Sequence, residues 1–116
     1  MIYRILGAFF ILLIFSTFNW AGGNESDFDS VCKYFSDLES LPNIESLNPK
    51  ERNKFVYGRI QKTLPETSDA RVAWEAISHA TPEVRYELFQ SAAKSTGFKN
   101  WACMPMKKLA PVTGEF

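Results

Sequence analysis

Cysteine and histidine are scarce in this chain of 116 residues, which has two cysteines and one histidine. It has no Cys-x-x-Cys pair, the motif of thioredoxin-like redox proteins. It also lacks a Gly-x-Ser-x-Gly elbow, a glycine-rich phosphate loop and a His-Glu-x-x-His zinc motif. Because these common catalytic signatures are missing, we expect a protein without enzymatic activity and without a cofactor.

An excess of positive charge is also lacking, since 13 basic side chains are balanced by 13 acidic ones. Phosphate backbones are bound by clustered positive charge. The balance therefore argues against nucleic acid as a partner.

The first 23 residues have the layout of a secretory signal peptide. A single early charge, Arg4, is followed by the apolar run Ile5–Phe15 and then by the small residues Ala21 and Gly23, which suit cleavage after Gly23. The alternative is an uncleaved anchor, although the apolar run is shorter than the roughly 20 residues of a spanning helix. Both interpretations predict an extracytoplasmic protein, periplasmic or secreted, that meets the membrane only through this segment.

Residues 24–116 are long enough for a single domain. The two cysteines of the chain lie near opposite ends of this segment. In an oxidising compartment an even cysteine count in a small domain indicates a disulfide, here between Cys32 and Cys103. Closing so long a loop stabilises a protein by about 4 kcal/mol in the chain-entropy model.

The residue pattern downstream predicts an all-α fold: a small bundle of four helices followed by a short C-terminal helix or turn. Ser26, Asn48 and Thr81 precede apolar residues at helical spacing and are the predicted N-caps. The predicted spans are about Phe28–Leu41, Asn48–Leu64, Ser68–Ala80, Thr81–Gly97 and Trp101–Leu109. The predicted core is mainly aromatic and comprises Phe28, Phe35, Phe55, Trp74, Phe89 and Trp101.

Two sets of residues suggest alternative chemistries. Cys103, Met104 and Met106, with His79, have the soft ligand types that bind Cu(I), which would make the chain a copper carrier. Against this, isolated methionines usually fill gaps in a core, and we expect both to do so here. Glu83 and Glu87 lie four residues apart and could act as the paired carboxylates of a glycan hydrolase. Arg85 and Lys94 are their predicted neutralising partners.

The predicted second helix is rich in basic residues, whereas acidic residues gather in the segment before it. This asymmetry suggests a surface for an anionic partner such as lipid headgroups, polysaccharide or an acidic protein. Alternatively, the basic helix lies beside the acidic first helix. The candidate surface consists of Lys50, Arg52, Lys54, Arg59 and Lys62. Taken together, the sequence predicts an exported, disulfide-closed helical binding or accessory module whose partner is a protein or another envelope component.

Overall fold

The computed structural model describes residues 22 to 114 of the chain, with side chains from residue 27 onward. Apart from Gly22 and Gly23, the predicted signal peptide lies outside the described residues. Five α-helices and no strand occur between residues 22 and 114, which confirms the all-α class. The helices are α1 Gly22–Glu39, α2 Pro49–Thr63, α3 Asp69–Ile77, α4 Arg85–Ser95 and α5 Met104–Leu109; single 3₁₀ turns span Ile44–Ser46, Pro82–Val84 and Ala110–Val112.

The start of α2 confirms Asn48 as the predicted N-cap and closes a capping box with Glu51. The Asn48 side chain accepts a hydrogen bond from the backbone N–H of Glu51 at 2.8 Å, and the Glu51 carboxylate accepts one from the N–H of Asn48 at 2.9 Å. Pro49 occupies the first turn, where a missing N–H costs nothing. These local bonds explain why the sequence alone located this helix start.

Two other predicted helix starts are wrong. The first helix begins at Gly22, so Ser26 lies inside α1 and does not cap it. The Thr81 side chain makes no capping bond, and the turn Pro82–Val84 precedes α4. The third helix also ends earlier than predicted, at Ile77, because the bonds that follow are those of a tighter turn: the His79 N–H bonds the Ala76 carbonyl and the Ala80 N–H bonds that of Ile77. At the other end of α4, the predicted span ends at Gly97, whose φ of 109° is typical of a glycine that closes a helix.

The core is built from aromatic rings contributed by four segments. Trp74 is fully buried and meets Phe35 edge-on, with ring centroids 5.3 Å apart. The ring centroid of Phe89 lies 5.2 Å from that of Phe28 and 5.4 Å from that of Trp101. These contacts confirm five of the six predicted core aromatics.

Phe55 is the exception, because it lies at the partly exposed edge of α2. The buried side of this helix is formed by Asn53, Val56 and Ile60. The Arg59 guanidinium covers the ring of Phe55, 3.8 Å from its centroid. Phe55 is therefore partly buried: it packs against the core cluster and is also covered by the Arg59 guanidinium.

A disulfide joins α1 to the residue that precedes α5. The sulfur atoms of Cys32 and Cys103 are 2.08 Å apart and the Cα atoms 5.8 Å apart, which confirms the predicted pairing. Lys108 of α5 also reaches Glu39 of α1 at 2.7 Å. A disulfide in a small helical protein is typical of oxidising compartments, which agrees with an extracytoplasmic location. Between residues 22 and 114, no helix combines the length and apolar character that crossing a bilayer requires.

The last described residues are held by a buried arginine. Arg85, 6% exposed, donates from Nε to the carbonyl of Ala80 at 3.1 Å and from Nη1 to that of Thr113 at 2.9 Å. Gly114 lies so close that a Cβ there would be 2.6 Å from Nη1 of Arg85, and its N–H bonds the Pro49 carbonyl. The guanidinium thus fixes the last described residues, Thr113 and Gly114, against the start of α4.

Candidate binding surface

The candidate copper ligands are found in different environments. The Cys103 sulfur is bonded to Cys32, so it is not a thiolate. Met106 is fully buried, as predicted, whereas Met104 is 69% exposed and fills no gap in the core, so that part of the prediction is wrong. His79 is exposed just after α3. Among the described residues, no group of three or more histidine, cysteine or carboxylate side chains is placed to hold a metal ion.

The five basic residues of α2 do not share one environment. Arg52 donates to the carbonyls of Leu47 and Ile44 at 3.0 and 2.7 Å and so anchors the loop before α2. Arg59 covers an aromatic ring, as described above. Lys50, Lys54 and Lys62 are exposed, so the proposed anionic-partner surface stays a prediction carried by three lysines. No ion pair joins α2 to α1 within the described part of the chain.

The clearest electrostatic cluster joins α2 to α3. The Glu75 carboxylate accepts hydrogen bonds from the Tyr57 hydroxyl and from Arg71 Nε, the latter at 3.0 Å. The Tyr57 bond lowers the pKa of Glu75, while desolvation, followed by the bond to Glu75, raises the pKa of Tyr57. Arg71 also donates to the Leu64 carbonyl at 2.9 Å. Because each group serves as another's partner, the cluster explains helix packing and offers no reactive group.

Glu83 and Glu87 do share one site, a cleft of about 270 Å³ between the start of α4 and the α5 region. Tyr86 and Gln90 form its inner wall and are already bonded: the Tyr86 hydroxyl accepts from the Cys103 N–H at 2.9 Å, and the Gln90 amide donates to the Trp101 carbonyl at 3.0 Å. The cleft is lined by Glu83, Tyr86, Glu87, Gln90, Lys107 and Pro111.

The predicted neutralising partners of these carboxylates are wrong. Arg85 is buried against carbonyl oxygens, and Lys94 forms no ion pair with any described carboxylate. Glu83 and Glu87 are therefore exposed and form no described ion pair, and Lys107 is the cation among the residues that line their cleft.

Exposed apolar side chains adjoin this cleft. Val84 and Leu88 lie one turn apart at the start of α4 and are 38% and 43% exposed. Val112, also exposed, belongs to the turn Ala110–Val112, which contacts the turn that contains Val84. We call the exposed set Glu83, Val84, Glu87 and Leu88 the α4 surface. It places two exposed apolar side chains beside two carboxylates, and apolar patches with a polar rim mark interaction sites.

Sequence reasoning found the two carboxylates but not the apolar residues beside them. Leu88 has a spacing compatible with the buried stripe of its helix, and only the position of the neighbouring helices leaves it 43% exposed. Comparison of the chain with protein-family models, with characterised proteins and with solved structures finds no match.

Proposed function

We propose that this chain is an exported, disulfide-closed helical module that binds a protein of the cell envelope or secreted milieu and carries out no catalysis of its own. The observation that carries this proposal is the α4 surface, where Val84 and Leu88 are exposed beside two carboxylates that form no described ion pair. Apolar side chains gathered in this way gain free energy when a partner covers them.

The frame beneath the α4 surface supports a binding role. Arg85 ties the start of α4 to the chain end, and the disulfide ties α5 to α1. A surface held on such a frame loses little conformational freedom when it binds. Tyr57, Arg71 and Glu75, whose pKa values are shifted, are by contrast hydrogen-bonded to one another where α2 packs on α3.

Export is supported by the signal-peptide layout of residues 1–23 and by the disulfide. The intact mass of the exported protein tests both features at once. We expect cleavage after Gly23 and a mass lower by two hydrogens than that of the reduced chain. A mass that includes residues 1–23 would support the anchor alternative.

Site-specific photo-crosslinking tests the binding role. A photoreactive residue is placed at position 88 of the α4 surface and, as a matched control, at position 72, where Val72 is 50% exposed on α3. We expect a discrete crosslinked product from position 88 in the native envelope and none from position 72. Failure to crosslink at 88, or equal products from both positions, would overturn the proposal.

A second candidate, a glycan hydrolase, is favoured by the fact that Glu83 and Glu87 line one cleft. Turnover of cell-wall glycans by the exported protein, lost in the Glu83→Gln/Glu87→Gln variant, would establish it. Binding without turnover would favour the non-catalytic module.

A further inference from the structure

The exposed face of α4 has large side chains at one end and small ones at the other. Val84, Leu88, Ser91 and Ser95 follow one another at spacings of four, three and four residues, so they form one stripe on the helix. All four are exposed. The Ser95 hydroxyl donates to the Ser91 carbonyl at 2.9 Å, so this hydroxyl stays hydrogen-bonded even when the stripe is covered.

Along one flank of this stripe the charge changes from negative near the N-terminal end of α4 to positive near its C-terminal end. Glu87 lies toward the N-terminal end of α4 and Lys94 lies seven residues later, two turns along the same flank. Both side chains are exposed, and neither forms an ion pair with a described residue.

We propose that a second copy of this chain binds the α4 surface, with the two α4 helices antiparallel. Val84 of one copy then packs against Ser95 of the other, and Leu88 against Ser91, so that large side chains meet small ones. Both pairs are centred between residues 89 and 90. A two-fold axis at that point forms each contact twice.

The charged side chains of Glu87 and Lys94 fit nearly the same two-fold axis. Glu87 of one copy faces Lys94 of the other, and this pair is centred one residue further along α4. The two centres lie one residue, about 1.5 Å, apart, so size and charge favour nearly the same antiparallel register. In a parallel two-fold arrangement the charged flanks of the two copies would lie on opposite sides of the contact, where Glu87 and Lys94 could not pair. This charge complementarity of the face to itself is the reason for choosing a second copy as the occupant.

The contact is short, since α4 is 11 residues long and spans about 16 Å. A contact of this length is smaller than those of stable complexes, so we expect a weak and transient dimer. This inference rests on the binding role proposed for the α4 surface and names the partner.

Sedimentation equilibrium of the exported, disulfide-bonded protein at concentrations up to about 1 mM tests it. We expect the mass to rise from one chain toward two. Glu87→Lys and Lys94→Glu should each weaken the dimer by about tenfold, because each variant replaces two attractions by repulsions. The double variant Glu87→Lys/Lys94→Glu should recover most of the affinity, since the exchanged charges again face one another.

Leu88→Glu should abolish the dimer, and Val72→Glu on α3 is the matched control that should not. Circular dichroism confirms that every variant keeps its helical content. A wild-type protein that stays monomeric at about 1 mM, or a double variant as weak as the single ones, would overturn the proposal.

The crosslinking at position 88 separates this inference from the proposed function. A product of twice the chain mass supports self-association. A product of another mass from a monomeric protein overturns self-association but leaves the binding role standing. Absence of any product overturns both.

Discussion

Truncation of Trp74 should remove the largest single contribution to the core. The side chain is fully buried, its ring meets Phe35 and Phe89 edge-on, and its indole N–H donates to the side-chain oxygen Oδ1 of Asn53 at 2.9 Å. Trp74→Ala loses the transfer free energy of the ring and leaves a cavity, which together cost about 3–5 kcal/mol. The Asn53 acceptor, only 2% exposed, would also lose its donor.

The hydrogen bond can be separated from the packing. Trp74→Phe keeps most of the ring but leaves the Asn53 oxygen buried without its donor, which should cost about 1–3 kcal/mol. Adding Asn53→Leu removes the stranded acceptor as well. We therefore expect the double variant Trp74→Phe/Asn53→Leu to lose less free energy of unfolding than the two single losses added together.

Urea unfolding followed by far-ultraviolet circular dichroism measures these differences on the disulfide-bonded protein. Val72→Ala on the exposed side of α3 is the control and should stay within about 0.5 kcal/mol of wild type. A loss below about 1 kcal/mol for Trp74→Ala would show that the ring does not fill the centre of the core, because truncation of a buried tryptophan costs about 3–5 kcal/mol.

Three further predictions use the same titrations. Cys32→Ser should lower the free energy of unfolding by about 4 kcal/mol, because the disulfide spans 71 residues; midpoints equal to wild type would contradict this. Met106→Ala should cost about 2–5 kcal/mol because Met106 is fully buried, whereas Met104→Ala should stay within about 0.5 kcal/mol; similar losses for both would be evidence against the described burial. Glu75 has a lowered pKa, chiefly through its bond from Tyr57. The ionised carboxylate therefore stabilises the fold fully at pH values above 4.5, its ordinary pKa, and this stabilisation is lost as the pH falls through the lower pKa of the folded state. The stability gap between wild type and Glu75→Gln should therefore narrow on acidification, and a gap independent of pH would disprove the role of the carboxylate.

Features that depend on neighbouring residues in the chain were predictable. The Asn48 cap and the Gly97 turn are formed by groups within a few residues, so their residue types suffice to locate them. The cysteine pairing was predictable for a different reason, since two cysteines allow only one intramolecular bond.

Features that depend on which side of a helix is covered were harder to predict. Phe55 and Leu88 occupy positions compatible with a buried stripe, yet both lie at the margin of their helix in the assembled fold. Arg85 shows the opposite error, because a charged residue expected to neutralise carboxylates is buried and binds carbonyl oxygens.

The sequence by itself determined the all-α class, the approximate order of the helices and the disulfide that closes the chain. It did so because helical spacing, caps and cysteine number are local or countable properties. The packing of the helices places Tyr57 of α2 against Glu75 of α3 and leaves Val84 and Leu88 uncovered beside Glu83 and Glu87. Those relations depend on the distances and rotations between packed helices, which no local pattern in the chain specifies.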